Sequence, residues 1–198
     1  MARIKTDTTK LSVAHVGWHR HQNGGGLVED TTTVADTAFV GPDAKVYGTA
    51  RVLGSAEVRN YAKVYGEAWI SGAAKVYGSA EVYGSAQVSG SASVYGSVRV
   101  FDRARVYDSA RVYGSVEVYG SARVCGDAHV YDRASVYYRA KVCGRARVCG
   151  DAKVFGWAKV YDYAKVFGGA WVCGYAEVFG SARVSDYALV CGETEVYD

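Results

Sequence analysis

Valine, replaced once by Ile70, stands at every sixth position from Val28 to Val196, and the residue two places before it is nearly always alanine. Ala44-Lys45-Val46-Tyr47-Gly48-Thr49 runs straight into Ala50-Arg51-Val52-Leu53-Gly54-Ser55, and the frame holds through Thr194-Glu195-Val196. Unbroken self-similarity at a short fixed period is the signature of a solenoid. Within each unit the alanine and the aliphatic residue lie two apart. Both therefore face one side of an extended strand, while the residue between them faces out. The Gly, Asp or Asn that follows is a corner, since glycine takes positive φ freely and Asp or Asn supports a turn locally. A short strand and a corner every six residues leave no room for hairpins. The chain must wind on itself, each side stacking on the side below at about 4.8 Å.

Val40-Gly41-Pro42-Asp43-Ala44 and Val34-Ala35-Asp36-Thr37-Ala38 read like the aliphatic-Gly-x-x-small signature of the bacterial hexapeptide-repeat proteins. From residue 26 to residue 198 the chain resembles that family in its uninterrupted bacterial and phage form. The resemblance implies an all-β fold: a single-stranded left-handed parallel β-helix, a triangular β-solenoid with about 18 residues per coil. Left-handedness runs against the usual crossover rule and is taken from the family alone. Later units depart from the signature, carrying Tyr, Phe or Cys after the aliphatic residue and the glycine one place on. From Val28 onward there is room for about nine coils, a prism roughly 45 Å long. Val98 and Val116 replace alanine on the same side of consecutive coils, which predicts a locally wider core.

Residues 1–25 fall outside the period and are read as a short N-terminal cap, with residues 26–198 as the solenoid. Leu11, Val13, Val16 and Trp18 would pack over the first coil, followed by a flexible Gly24-Gly25-Gly26. Such covers matter because a bare solenoid end shows unpaired strand edges. Glu195, Val196 and Tyr197 end the repeat uncovered. They predict a homo-oligomer joined end to end there, a two-fold contact being the simplest closed form, or else a frayed last coil. No apolar run approaches membrane-spanning length and Met1 to Leu11 lacks a secretory apolar stretch, so the expectation is a cytoplasmic product with no membrane partner. A net charge of +3 is too mild to name a partner.

Stacked coils turn outward positions into columns. Tyr47, Tyr65, Tyr83, Phe101, Tyr119, Tyr137 and Phe155 climb one side; Tyr77, Tyr95, Tyr113 and Tyr131, then Cys149 and Phe167, climb another. Alternation points them outward as exposed ladders. Rings one strand apart stabilise a coil by stacking, and an exposed aromatic wall also binds; both readings stand. Beside the second ladder run Glu57, Lys75, Ser93, Arg111, His129, Arg147, Lys165 and Arg183. The neighbouring side offers Arg51, Trp69, Gln87, Arg105, Arg123, Lys141, Lys159 and Glu177. Cations beside aromatics suit phosphate contacts with ring stacking on bases. The candidate ligand-binding set for a nucleotide or nucleic acid is therefore Lys75, Tyr77, Tyr95, Arg111, Tyr113, Tyr131, Arg147, Lys165 and Arg183. The bland alternative is that these cations keep an edge-rich β protein soluble.

Cys125 with Cys143, and Cys173 with Cys191, are coil-spaced pairs, and Cys149 stands alone. Free thiols are expected in a cytosolic protein, and no histidine joins them at metal-ligand spacing, so no metal site is read. No cofactor is called for on the first reading, a non-enzymatic scaffold that binds an anionic ligand. The family resemblance also implies a runner-up, a CoA-dependent acyltransferase with a histidine base. His129, His21 and His19 are its candidates, although the chain lacks the loop excursions that build the family's pocket.

Overall fold

The structure, a computed structural model, describes residues 16–198; Leu11 and Val13 of the expected cap lie outside the described residues. The six-residue period becomes three sheets running along one rod, of eleven, ten and nine strands, here sheets I, II and III. Every third strand pairs in parallel register: Lys45 with Lys63 on sheet I, Arg51 with Trp69 on sheet II, and Phe39 with Glu57 on sheet III. Partners are 18 residues apart, one coil. Among the described residues there is no helix. The molecule is an all-β parallel β-solenoid.

Its core is a column of valine and alanine, fully buried from Ala38 to Val178. β-branched valine suits a pleated strand, and alanine lets three sheets meet closely at the corners. The backbone ladder runs through strand and corner alike. In one unit, Lys45 N donates to Ala62 O (3.1 Å), Tyr47 N to Val64 O (3.0 Å) and Thr49 N to Gly66 O (2.9 Å). A core this narrow has no polar side chain, so all main-chain polarity must be met by the neighbouring coil.

Corners explain why Gly alternates with Asp. Gly48, Gly66 and Gly84 take φ of 74°, 69° and 66°. Asp102, Asp108, Asp132 and Asp162 take the same left-handed conformation, and each carboxylate accepts a hydrogen bond from the corner one coil on. The donors are Gly120 N (3.1 Å), Gly126 N (3.0 Å), Gly150 N (3.1 Å) and Gly180 N (3.3 Å). That bond offsets the cost of the conformation. Tyr138 holds φ of 58° with no such bond, its ring tilted against Tyr137 at 5.2 Å. Left-handed backbone at a bulky residue costs about 1–3 kcal/mol. Tyr138→Gly is therefore expected to raise stability by about 1 kcal/mol after the extra freedom glycine gives the unfolded chain. Urea unfolding measures it; a lower midpoint would mean the ring's packing outweighs the strain.

At Val98 and Val116, where the sequence predicts a wider core, the backbone departs from the common corner. Strands Lys75–Gly78, Ser93–Gly96 and Arg111–Gly114 run on through the corner, whereas most others are two residues long. Gly96 and Gly114 open to φ of 85° and 87°, against 69° at Gly90 and Gly120.

At the N-terminal end, β1 (Trp18–Arg20) pairs antiparallel with β2 (Leu27–Glu29), Trp18 opposite Glu29. The Trp18 ring lies 5.9 Å from Tyr47. Gly24 to Gly26 is a tight turn and not the flexible stretch expected: Gly26 N donates to Val40 O (2.9 Å), and Val40 N donates to Asn23 O (3.0 Å). A Cβ at Gly24 would collide with the Val40 carbonyl, and one at Gly26 with that of Gly41. These glycines let the chain lie on the edge of sheet III. At the other end, Arg183–Val184, Leu189–Val190 and Glu195–Val196 are the edge strands of sheets III, I and II.

Candidate anion-binding face

Parallel in-register pairing decides which outward side chains are neighbours. On sheet III it stacks Lys75, Ser93, Arg111, His129, Arg147, Lys165 and Arg183 in one file. From Arg111 to Arg183 is four coil steps, roughly 19 Å. At the foot of the file Glu57 takes Arg59 at 2.6 Å and Lys75 at 3.8 Å. Above Lys75, none of Arg111, Arg147, Lys165 and Arg183 has a carboxylate partner among the described residues.

Sheet I is arranged otherwise. There Lys63 meets Glu81 at 2.9 Å and Arg99 meets Glu117, so from Lys63 to Glu117 opposite charges alternate and neutralise each other, with Lys45 below and Lys153 above outside those pairs. Sheet II is intermediate: Arg105, Arg123 and Lys141 stack with no ion pair among the described residues, and Lys159 meets Glu177 at 2.7 Å. Burial pushes the His129 imidazole below its ordinary range, and Arg111 and Arg147 on either side push it further. Their field disfavours one more positive charge. A groove of about 310 Å³ opens there, lined by Arg111, His129 and Arg147 with Ser109, Asp127 and Arg145 at the corner.

Tyr77, Tyr95, Tyr113 and Tyr131 stand beside this file, but they do not form an exposed wall. Their rings lie flat on one another, with centroids 4.7, 5.0 and 5.1 Å apart and planes within 6°. They are half-buried, and burial raises the phenols of Tyr77 and Tyr113 above their ordinary range. The Tyr47 to Phe155 ladder on sheet I stacks the same way, its rungs 4.8–5.0 Å apart. Ring faces are spent on each other. What the ladder presents to solvent is edges and hydroxyls.

A second basic groove, of about 410 Å³, lies where sheets I and II meet, between Ser121, Arg123, Arg139, Lys141, Trp157 and Lys159. The sequence columns contained Arg123, Lys141 and Lys159 but missed Arg139 and Trp157, which are corner residues. The readable signal was the run Arg139, Trp157 and Tyr175 in a column that begins with Thr31, Thr49, Glu67 and Ser85. Arg139 lies 4.3 Å from the Trp157 ring, and Tyr175 stacks on it at 5.9 Å.

The cysteines part company. The sulfurs of Cys173 and Cys191 are joined as a disulfide across one coil, with Cα atoms 4.5 Å apart, within the range such a bond spans. This corrects the expectation of free thiols for that pair. Cys125, Cys143 and Cys149 are free. A hydrogen bond from Cys143 lowers the Cys125 thiol to about 6, and the same contact raises Cys143.

The three histidines are not brought together. His19 meets Asp30 at 2.7 Å on the exposed surface, and His21 is buried against the turn at Asn23. His129 lies far up the rod, and no loop leaves the coil between Ala44 and Val196 to cover it. Among the described residues no group of His, Cys, Asp and Glu could hold a metal ion. Val196 is half-buried and Tyr197 exposed, stacked on Phe179 at 5.1 Å; Glu195 is exposed.

Fold and surface together define a β-solenoid scaffold whose sheet I pairs its charges from Lys63 to Glu117, while the sheet III file from Arg111 to Arg183 has no ion pair among the described residues. A family model described as the YdcK β-solenoid repeat matches residues 98–114, about one coil. The chain is similar to that repeat over those residues. No curated protein and no solved structure matches it.

Proposed function

We propose that this scaffold is non-enzymatic and holds a phosphate-bearing polyanion, a nucleic-acid strand or nucleotide, along Arg111, Arg147, Lys165 and Arg183. One observation carries the reading: these four sheet III cations make no ion pair among the described residues, while on sheet I Lys63 and Arg99 are each matched to a glutamate one coil on. Stacking like charges costs little in water, yet a solenoid that only needed solubility would gain more from alternation. An anion laid along the file relieves the repulsion and releases its own counterions. Four phosphate contacts to a single strand give a log-affinity slope of about −2.8 against log salt, so binding should fall roughly 50-fold between 50 and 200 mM. Titration of a labelled single-stranded oligonucleotide across that range tests it. Absence of binding at low salt, or binding indifferent to salt, would remove the reading.

A proton should accompany the ligand. An anion across Arg111 and Arg147 reverses the field that now depresses His129, so the imidazolium is favoured in the complex. Affinity is thus expected to rise several-fold as pH falls through the His129 range, because binding takes up a proton. His129→Gln should flatten that dependence; an unchanged pH profile in the variant would place the titrating group elsewhere.

A further inference from the structure

The sheet III ladder lacks a rung. Tyr77, Tyr95, Tyr113 and Tyr131 are stacked without a break, the next position is Cys149, and the one after it is Phe167. Tyr131 and Phe167 are two coil steps apart, roughly 9.6 Å. A flat ring placed midway would lie one rung spacing from each, the separation the ladder itself uses. Both walls are available. Tyr131 gives its lower face to Tyr113, which leaves the upper one turned to the gap. Phe167 has the Arg183 guanidinium 5.2 Å above its ring, which leaves the lower face turned to the gap.

The gap is a cavity of about 230 Å³ lined by Tyr131, Cys149, Phe167, Arg147, Lys165 and Arg183. Two aromatic walls and three cations of the file converge on it. Cys149 forms its floor and hydrogen-bonds Tyr131, which pushes that phenol up to about 12 and keeps it protonated. Other breaks differ. On sheet II, Cys125 and Cys143 leave out two consecutive rungs between Tyr107 and Tyr161, and on sheet I the disulfide at Cys173 and Cys191 follows Phe155.

We infer that the gap seats the base of a nucleoside polyphosphate: the planar ring replaces the missing rung between Tyr131 and Phe167, and the phosphates lie on Arg147, Lys165 and Arg183. This rests on the anion-binding reading of sheet III and adds a ring to the ligand. Stacking supplies affinity that phosphate alone does not have, and it tolerates any base because every base has a π-face.

Calorimetric titration with ATP and with inorganic tripolyphosphate separates the two ideas. Wild-type protein is expected to bind ATP about tenfold or more tightly than tripolyphosphate. Cys149→Tyr fills the rung, so it should abolish that margin while leaving tripolyphosphate affinity unchanged; Cys149→Ser should keep the margin. Phe167→Ala removes one wall and the ring under Arg183; its tripolyphosphate affinity registers any change at that cation, and relative to it the ATP margin should shrink even where the tyrosine variant folds poorly. Equal affinities in the wild type, or a margin that survives Cys149→Tyr and Phe167→Ala, would overturn the base site while tripolyphosphate binding upheld the basic face. Binding of neither compound would overturn both.

Discussion

Reversing Arg147 and Lys165 to glutamate is expected to weaken single-stranded oligonucleotide binding by roughly 70-fold at 50 mM salt, the sum of two lost counterion-releasing contacts. Repulsion from the new carboxylates adds to that figure. The salt slope should fall from about −2.8 to about −1.4 or less. Among the described residues neither takes part in an ion pair, and both side chains project outward from strands whose Val148 and Val166 neighbours make the core. Circular dichroism and the melting temperature should therefore stay close to those of the parent. Reversing Lys63 and Arg99 on sheet I is the matched control, since those cations already have Glu81 and Glu117. Equal loss from either pair would mean that net charge, and not the sheet III file, is responsible.

Val130→Asp is expected to sever the rod. Val130 is fully buried between Val112 and Val148 of the adjacent coils, and the surrounding core is valine and alanine without a donor. A carboxylate there is either ionised without a partner or neutral with its hydrogen bonds unmade, at several kcal/mol in either case. Truncation to alanine would instead cost about 1.5–3 kcal/mol, the value of the buried side chain. Because each coil touches only its neighbours, the damage should be local: coils on either side keep their ladder and the break lies between. Limited proteolysis should cut near residue 130 while the flanking pieces resist. Uniform resistance matching the parent would contradict this account of the core.

The coil was legible in the sequence because a single rule repeats. Val46 and Val64 are equivalent in the frame and paired in the structure, and the same holds for Arg111, His129 and Arg147 in their file. Column membership therefore needed nothing beyond counting. What counting leaves out is side-chain direction. Alternation says that Tyr95 points outward, but not that its ring lies flat against Tyr77 and Tyr113. Burying the faces of adjacent rings against one another favours that arrangement over exposure. Corners were half legible. Asp102 was readable as a turn residue, but its bond to Gly120 depends on a coil 18 residues away. Trp157 and Arg139 were passed over because sequence patterns identify strand positions better than the corners between them. The tight turn at Gly24 to Gly26 was read as flexible because its contact, the edge of sheet III, exists only once the first coil has closed.

Two different lengths govern this molecule. Its core repeats every six residues, and its paired registers repeat every 18. Excising one six-residue unit would leave each valine facing inward and each corner a corner, so the rod would still close. Everything beyond the cut would turn by a third of a revolution: the Arg147 file would move onto another side and no longer continue the one holding Arg111. Removal of a whole coil would shorten the rod and leave its sides aligned. The fold is therefore indifferent to gains and losses in steps of six, while the pattern of sides survives only steps of 18. A gene carrying such a protein can lengthen or shorten it freely in whole coils, and any other step redraws the surface on an intact frame.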